Sequence, residues 1–196
     1  MTANTLGAVR QVIANREECV LLVIDVQEKL IDTISDKANV LENIKALIRS
    51  AHVLDVPILV TEQERLGETV SDINVMLPSG KIRKLAFSCC KVPEFTSSLG
   101  KIGRKKVIVC GIEAHICVMQ TVVDLPRYGY TVAVPQDAVS SYGAVDRESA
   151  LQRMRDSGAV ITTTEALIYE LTERAGTEQF RKVLEIVKER RLKTTK

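Results

Sequence analysis

The stretch Val107–Cys117, reading VIVCGIEAHIC, constrains the fold of this chain more than any other. Its first half, Val107–Cys110, is an uninterrupted and mostly β-branched apolar run that ends at Gly111. Such a run suits the centre of a parallel sheet, where helices cover both faces and no polar alternation is needed. From Ile116 the period changes: Ile116, Met119, Val122 and Val123 recur at helical spacing. Cys117 is thereby predicted just past the carboxyl end of a central strand, near the start of a helix. Open α/β sheets build their sites along that edge. The partial positive charge of the helix amides would favour a thiolate there. The alternative reading of Cys117 is a small buried core residue.

The remaining segments repeat the alternation. Val20–Ile24 reads as a buried strand ended by Asp25, a carboxylate that is costly at such a place unless paired. Gln27 follows and can hydrogen-bond across the same edge. Residues 36–54 carry Val40, Ile44, Leu47, Ile48, Ala51 and Leu54 at helical spacing, with Ser35 or Asp36 as N-cap. Pro57–Val60 is a strand followed by the polar run Thr61-Glu62-Gln63-Glu64, and Arg65–Gly80 reads as a long irregular loop. Lys81–Ser88 alternates like a strand, with Lys84 breaking its apolar side, as a lone solvent-facing lysine would. Pro93–Leu99 suggests a short helix with proline in its first turn. Pro126 should kink or end the helix that starts near Ile116. Thr131–Val134 is a strand, Pro135–Tyr142 a polar loop, Val145–Asp156 a helix closed by Gly158, and Val160–Ile161 a last short strand. Thr163 or Thr164 caps the next helix and Thr177 the final one. The order predicts a three-layer α/β/α sandwich around a mostly parallel sheet of about six strands. At 196 residues the chain has room for one full core. We expect a single domain over residues 18–196, preceded by an arm or short helix over residues 1–17.

Charge and cysteine content narrow the function. A formal charge of +2, only 4% aromatic residues and scattered basic side chains argue against a nucleic-acid partner. No apolar run approaches the ~18 residues of a membrane span. Five cysteines without CxxC spacing match neither a disulfide framework nor a metal site, which points to a reducing compartment. The cytoplasm is the expected location, with mitochondrial association as the alternative because Arg10 and Arg16 precede Glu17 and Glu18. His52 and His115, the two histidines, stand in no metal-ligand cluster, and neither metal nor cofactor is expected.

Asp25, Lys84 and Cys117 each fall at or near the carboxyl end of a predicted strand, and in a parallel sheet these ends share one rim. The segments around them are LLVIDVQEKL, KLAFSCC and VCGIEAHICVMQTVVDLPRYGY, continued by DAVSS and ALQRMRDSGAVITTTEALIYEL. In this order they resemble the isochorismatase-like cysteine hydrolases, the superfamily of nicotinamidases and N-carbamoylsarcosine amidases. The likeness runs over roughly residues 18–190. The wording GIEAHIC, with TTTEALIYEL downstream, is most similar to the isochorismatase-domain-containing branch, whose substrates are poorly defined.

The resemblance implies a triad of Asp25 as general base, Lys84 as its partner and Cys117 as nucleophile. It further implies a cis peptide at Ile112–Glu113, with the backbone N–H groups of Glu113 and Cys117 as an oxyanion hole. Gln27, Gln63, Phe87 and His115 would then line the substrate pocket. The Asp-x-His metal motif of nicotinamidases is replaced here by TEQERLG, and the presence of Cys117 argues against vinyl-ether hydrolysis. The expected activity is hydrolysis of a C–N bond in a small amide or carbamoyl compound by a homo-oligomer, dimer or tetramer. The competing expectations are a non-catalytic oligomeric scaffold and an RNA-cleaving enzyme.

Overall fold

The structure, a computed structural model, describes residues 14–194. Most of the arm or short helix expected over residues 1–17 therefore lies outside the described residues. At its inner end Ala14 is buried in the core, and its N–H donates to Glu170 Oε2 at 2.8 Å.

Strand β1 (Cys19–Ile24) is buried at every position, as an all-apolar run with no polar face requires. It sits between β2 (Ile58–Gln63) and β4 (Lys106–Ile112), paired in parallel to both. β3 (Ile82–Lys84) adds outside β2, β5 (Thr131–Pro135) outside β4, and β7 (Val160–Thr162) outside β5. The order is β3-β2-β1-β4-β5-β7, and every one of these pairings is parallel. A seventh strand, β6 (Val139–Ser140), pairs with the Gly111–Ile112 end of β4, beyond the point where β5 has left it. The polar loop expected over Pro135–Tyr142 thus contains a strand. Two residues are too few to show a period-2 pattern.

Side chains alternate to the two faces of the sheet. Leu21 and Val23 pack beneath α2 (Lys37–Val53), α7 (Thr164–Thr172) and α8 (Glu178–Lys193). Val20, Leu22 and Ile24 pack beneath α4 (Pro93–Ile102), α5 (Met119–Asp124) and α6 (Ala144–Asp156). The sheet with a helix layer on each face is the sandwich the alternation predicts. Short helices α1 (Glu28–Ile31) and α3 (Ser71–Asn74) lie beside the carboxyl ends of β1 and β2, and α3 breaks the loop expected over Arg65–Gly80. Thr163 and Thr177 cap α7 and α8 by accepting from the N–H groups of Ala166 and Phe180. Pro126 stands in a 3₁₀ turn, Leu125–Tyr128, directly after α5 ends, because a proline in the α-helix interior would lose a hydrogen bond and clash.

Two expected strand limits change. The apolar run does not stop at Gly111: β4 continues to Ile112, with Gly111 at φ +127°. A Cβ on Gly111 would lie 2.0 Å from the carbonyl oxygen of Ile24, so only glycine lets β1 and β4 pair this far toward the rim. The strand expected over Lys81–Ser88 is only three residues long. After Lys84 the chain leaves the sheet edge, because the ammonium group recruits the carbonyls of Ala86 and Phe87, each at 3.3 Å, that a continuing strand would direct sideways.

Candidate active site

The strand order reverses direction at β1, between its neighbours β2 and β4, and the crevice of an open α/β sheet forms at such a switch. Asp25 follows β1 there with φ +52°, a left-handed conformation that turns its side chain back over the sheet edge. The carboxylate is fully buried and both oxygens are engaged. Oδ2 accepts from Lys84 Nζ at 2.6 Å, and Oδ1 accepts from the Thr61 hydroxyl at 2.7 Å.

Lys84 is 2% exposed, so the solvent-facing reading of this residue is wrong. Its ammonium group donates to Asp25, to Gln63 Oε1 at 2.8 Å, and to the Ala86 and Phe87 carbonyls. Three protons are thus committed to four acceptors. Burial acts to lower the basicity of Lys84, but the charge and hydrogen bond of Asp25 together with the neighbouring Cys117 and Cys89 outweigh it, and the group is held above the ordinary lysine range. Lys84 is therefore a locked cation that acts through its field and has no proton to release near neutrality.

Cys117 lies in a π turn, Ala114–Val118, that opens α5, and its carbonyl accepts from Thr121 Oγ1 at 2.7 Å. Thr121 Oγ1 in turn accepts from the N–H of Cys89, which ties the Cys117 turn to the Cys89–Lys91 turn after β3. The thiol is 6% exposed and lies 4.0 Å from Gln63 Oε1. Burial, then the charge of Asp25, push it up to about 12, against the opposing pull of Lys84. This corrects the expectation that helix amides would favour a resting thiolate. Burial and the adjacent carboxylate outweigh a partial helix charge, and the nearest cation is already paired with Asp25. At neutral pH Cys117 is therefore a thiol and Lys84 an ammonium.

The peptide bond Ile112–Glu113 is cis. Glu113 Oε2 accepts from the N–H of Tyr142 at 3.0 Å and so ties the start of the π turn to the loop after β6.

The four residues expected to line a pocket take different places. Gln27 is fully buried, and its amide is spent on backbone: Nε2 donates to the carbonyls of Gln63 and Gly67, and Oε1 accepts from the N–H of Gln63. It clamps the segment after β2 and offers nothing to a substrate. Gln63 is the side chain that joins Lys84 to the thiol, braced by Nε2 donating to the Leu85 carbonyl at 2.9 Å. Phe87 is 52% exposed at the rim. His115 stands two residues before Cys117, a spacing that places two side chains on different sides of a helical turn. Its Nδ1 meets Ser141 Oγ at 2.9 Å, on the β6 side, whereas Cys117 turns toward β2. Thr61 is the residue the sequence reading missed. The register that pairs it with Ile24 puts it beside Asp25, and a parallel alignment of the first two strands would have shown this. Among the described residues, no group of three or more His, Cys, Asp or Glu side chains is placed to hold a metal ion, and no helix is long and apolar enough to cross a membrane.

Residues 19–166 match the family model described as the Isochorismatase domain. A secreted isochorismatase effector, Isc1, of Phytophthora sojae is 41% identical over 178 residues, covering 87% of this chain and 84% of that protein. Isochorismatase domain-containing protein 2 of Homo sapiens is 36% identical, with coverage of 87% and 83%. Among solved structures, MAR1 ribonuclease from Caenorhabditis elegans superposes with a TM-score of 0.83 at 36% identity, covering 89% of this chain and 91% of that one. The YcaC gene product of Escherichia coli, at 20% identity and a TM-score of 0.84, shares the fold over 91% of this chain and 93% of its own.

Proposed function

The chain belongs to the isochorismatase family, a family of hydrolases, and on that premise we propose that it hydrolyses a C–N bond of a small amide or carbamoyl compound through an acyl-enzyme on Cys117. The observation that carries this reading is the buried cluster in which the Lys84 ammonium bonds both Asp25 and Gln63 Oε1, with the Cys117 thiol 4.0 Å from that same oxygen.

The chemistry follows from who can move a proton. Asp25 takes the S–H proton as sulfur attacks the carbonyl carbon, so deprotonation accompanies C–S bond formation instead of preceding it. The carbonyl π pair moves onto oxygen, where the backbone N–H groups of Glu113 and Cys117 receive it. The C–N bond then breaks, and the departing nitrogen takes the proton from Asp25, the one group in the cluster able to return it. Water enters, gives a proton to Asp25 and attacks the acyl carbon. The C–S bond breaks and the thiol recovers its proton. Lys84 keeps its protons throughout and holds Asp25 in place.

A homo-oligomer is part of the proposal. Leu85 and Phe87 on the loop after β3, Tyr142 on the loop after β6 and Val145 in the first turn of α6 are exposed apolar side chains, and a second copy of the chain would cover them. The five unpaired thiols, all buried, support a reducing compartment, the cytoplasm or the mitochondrion. Release of ammonia or amine from a panel of small amides and carbamoyl compounds tests the activity, with Cys117→Ala beside the unaltered protein. Turnover confined to the chain with Cys117 is expected, and equal turnover by both would refute the covalent route.

The 36% identity to MAR1 ribonuclease favours one second reading, RNA cleavage. The same two proteins incubated with single-stranded and structured RNA decide it. Cleavage that co-purifies with the chain and falls with rising salt would displace the amide reading.

A further inference from the structure

We propose that Thr61 is a positioning residue for the reaction: its hydroxyl fixes the plane of the Asp25 carboxylate, so that the carboxylate meets the proton of Cys117 in one orientation. This rests on the reading of Asp25 as the general base.

Thr61 grips Asp25 at two points. Its carbonyl accepts the Asp25 N–H at 3.2 Å, and its hydroxyl donates to Oδ1 at 2.7 Å. Asp25 has left the strand at positive φ, so its backbone keeps the N–H bond to Thr61 while the carboxylate itself is not oriented by the sheet ladder. Lys84 alone, bonded to Oδ2, would let the carboxylate swing about that contact. A second donor on Oδ1 sets the carboxylate plane and leaves the remaining lone pairs for the thiol. A threonine suits the task, because its β-branched side chain is stiff at χ1 within a strand. It is fully buried, so no solvent competes for the hydroxyl.

The polar groups around Asp25 come from four elements. Lys84 on β3 and Thr61 on β2 both favour the ionised carboxylate, and Cys117 in the turn before α5 is its proton donor. Cys89, in the turn after β3, reaches Thr61 Oγ1 with its sulfur at 3.9 Å, which leaves the threonine proton free to point at Asp25. Removing the hydroxyl leaves Lys84 as the one side-chain donor that sets the carboxylate, which is then free to turn about that contact and meets the thiol proton less often.

The test is the rate at which iodoacetamide alkylates Cys117, followed by mass spectrometry of its peptide across pH, for the unaltered chain, Thr61→Val, Thr61→Ser and Asp25→Asn. Thr61→Val should lower the rate at neutral pH by about tenfold, as loss of one donor to a charged acceptor implies, and Thr61→Ser should restore it. Thr61→Ala removes the same hydroxyl and substitutes where the valine variant does not stay folded. A Thr61→Val or Thr61→Ala rate equal to the unaltered one, or a loss that Thr61→Ser does not restore, overturns the inference. An Asp25→Asn rate whose pH profile matches the unaltered one, instead of following the thiol's own ionisation at alkaline pH, overturns the reading of Asp25 as base, and so fails at a different variant.

Discussion

Asp25→Asn should raise the acidity of the Cys117 thiol while abolishing turnover, a combination that separates the electrostatic and chemical roles of the carboxylate. In the folded chain the thiol stands at about 12, because burial and then the Asp25 charge raise it more than Lys84 lowers it. An asparagine removes the second cause and leaves Lys84 without its anion. The thiolate then becomes the best available partner for a cation that cannot leave. An opposite charge within hydrogen-bonding range is worth about 1–3 pKa units, so the thiol should titrate about 1–3 units lower, or about 1.4–4 kcal/mol in ionisation free energy. Thiolate absorbance in the ultraviolet, corrected with an Asp25→Asn/Cys117→Ala double variant, reads the shift. The amide cannot accept a proton from the thiol or return one to a leaving nitrogen, so amide turnover should vanish although the nucleophile is more ionised. The buried Lys84 also loses its counterion, which costs about 3–5 kcal/mol and should lower the melting temperature by about 6–20 °C for a chain of this size. A thiol that titrates unchanged or higher in a folded Asp25→Asn protein would refute the claim that Asp25 holds it protonated.

Other outcomes follow from the same geometry. Lys84→Met should destabilise the fold by about 3–5 kcal/mol by leaving Asp25 buried without its cation, and the Asp25→Asn/Lys84→Met pair should be more stable in urea than the sum of the singles predicts. Gly111→Ala should abolish soluble, cooperatively folding protein, because its Cβ would sit 2.0 Å from the Ile24 carbonyl oxygen at a φ of +127°. His115→Ala should leave the alkylation rate of Cys117 within about twofold, since a side chain two positions away on a helical turn does not face the thiol; a tenfold loss would place the imidazole in the reaction. Stability should also fall steeply above pH 9. Cys19 and Cys89 are raised by burial to about 11 and Cys90 and Cys117 to about 12, from 9.0. The folded state keeps these protons while the unfolded chain loses them, so each thiol removes up to about 1.4 kcal/mol per pH unit until it ionises in place. Thermal melts from pH 8 to pH 11 check this, and a flat profile would contradict the burial of the thiols.

Much of this fold is legible in the chain because parallel sheets announce themselves. The runs VLLVI and VIVC are too uniformly apolar for a one-sided sheet, and the helical periods between them leave little choice of architecture. The site is legible to the extent that polar residues stand at strand ends: Asp25 is expensive there unless paired, whereas Lys84 reads alone as a solvent-facing charge and joins the rim only through its position. Three things were hidden. The thiol's acidity depends on which charge Lys84 neutralises, and spacing carries no such information. The roles of Gln27 and His115 depend on side-chain direction, which sends one into backbone and the other toward Ser141. The partnership of Thr61 with Asp25 depends on register between two strands far apart in the chain, and TEQE looks uniformly polar until that register is fixed.

The account stands on a covalent intermediate at Cys117. The direct measurement is the intact mass of the protein milliseconds to seconds after mixing with the amide or carbamoyl compound it turns over, followed by mapping of the modified peptide. The mass should rise by that of the acyl or carbamoyl fragment, on Cys117 alone, and decay as acid is released, with no such species in Cys117→Ala. Turnover without any adduct in the unaltered chain, and at the same rate in Cys117→Ala, would contradict it.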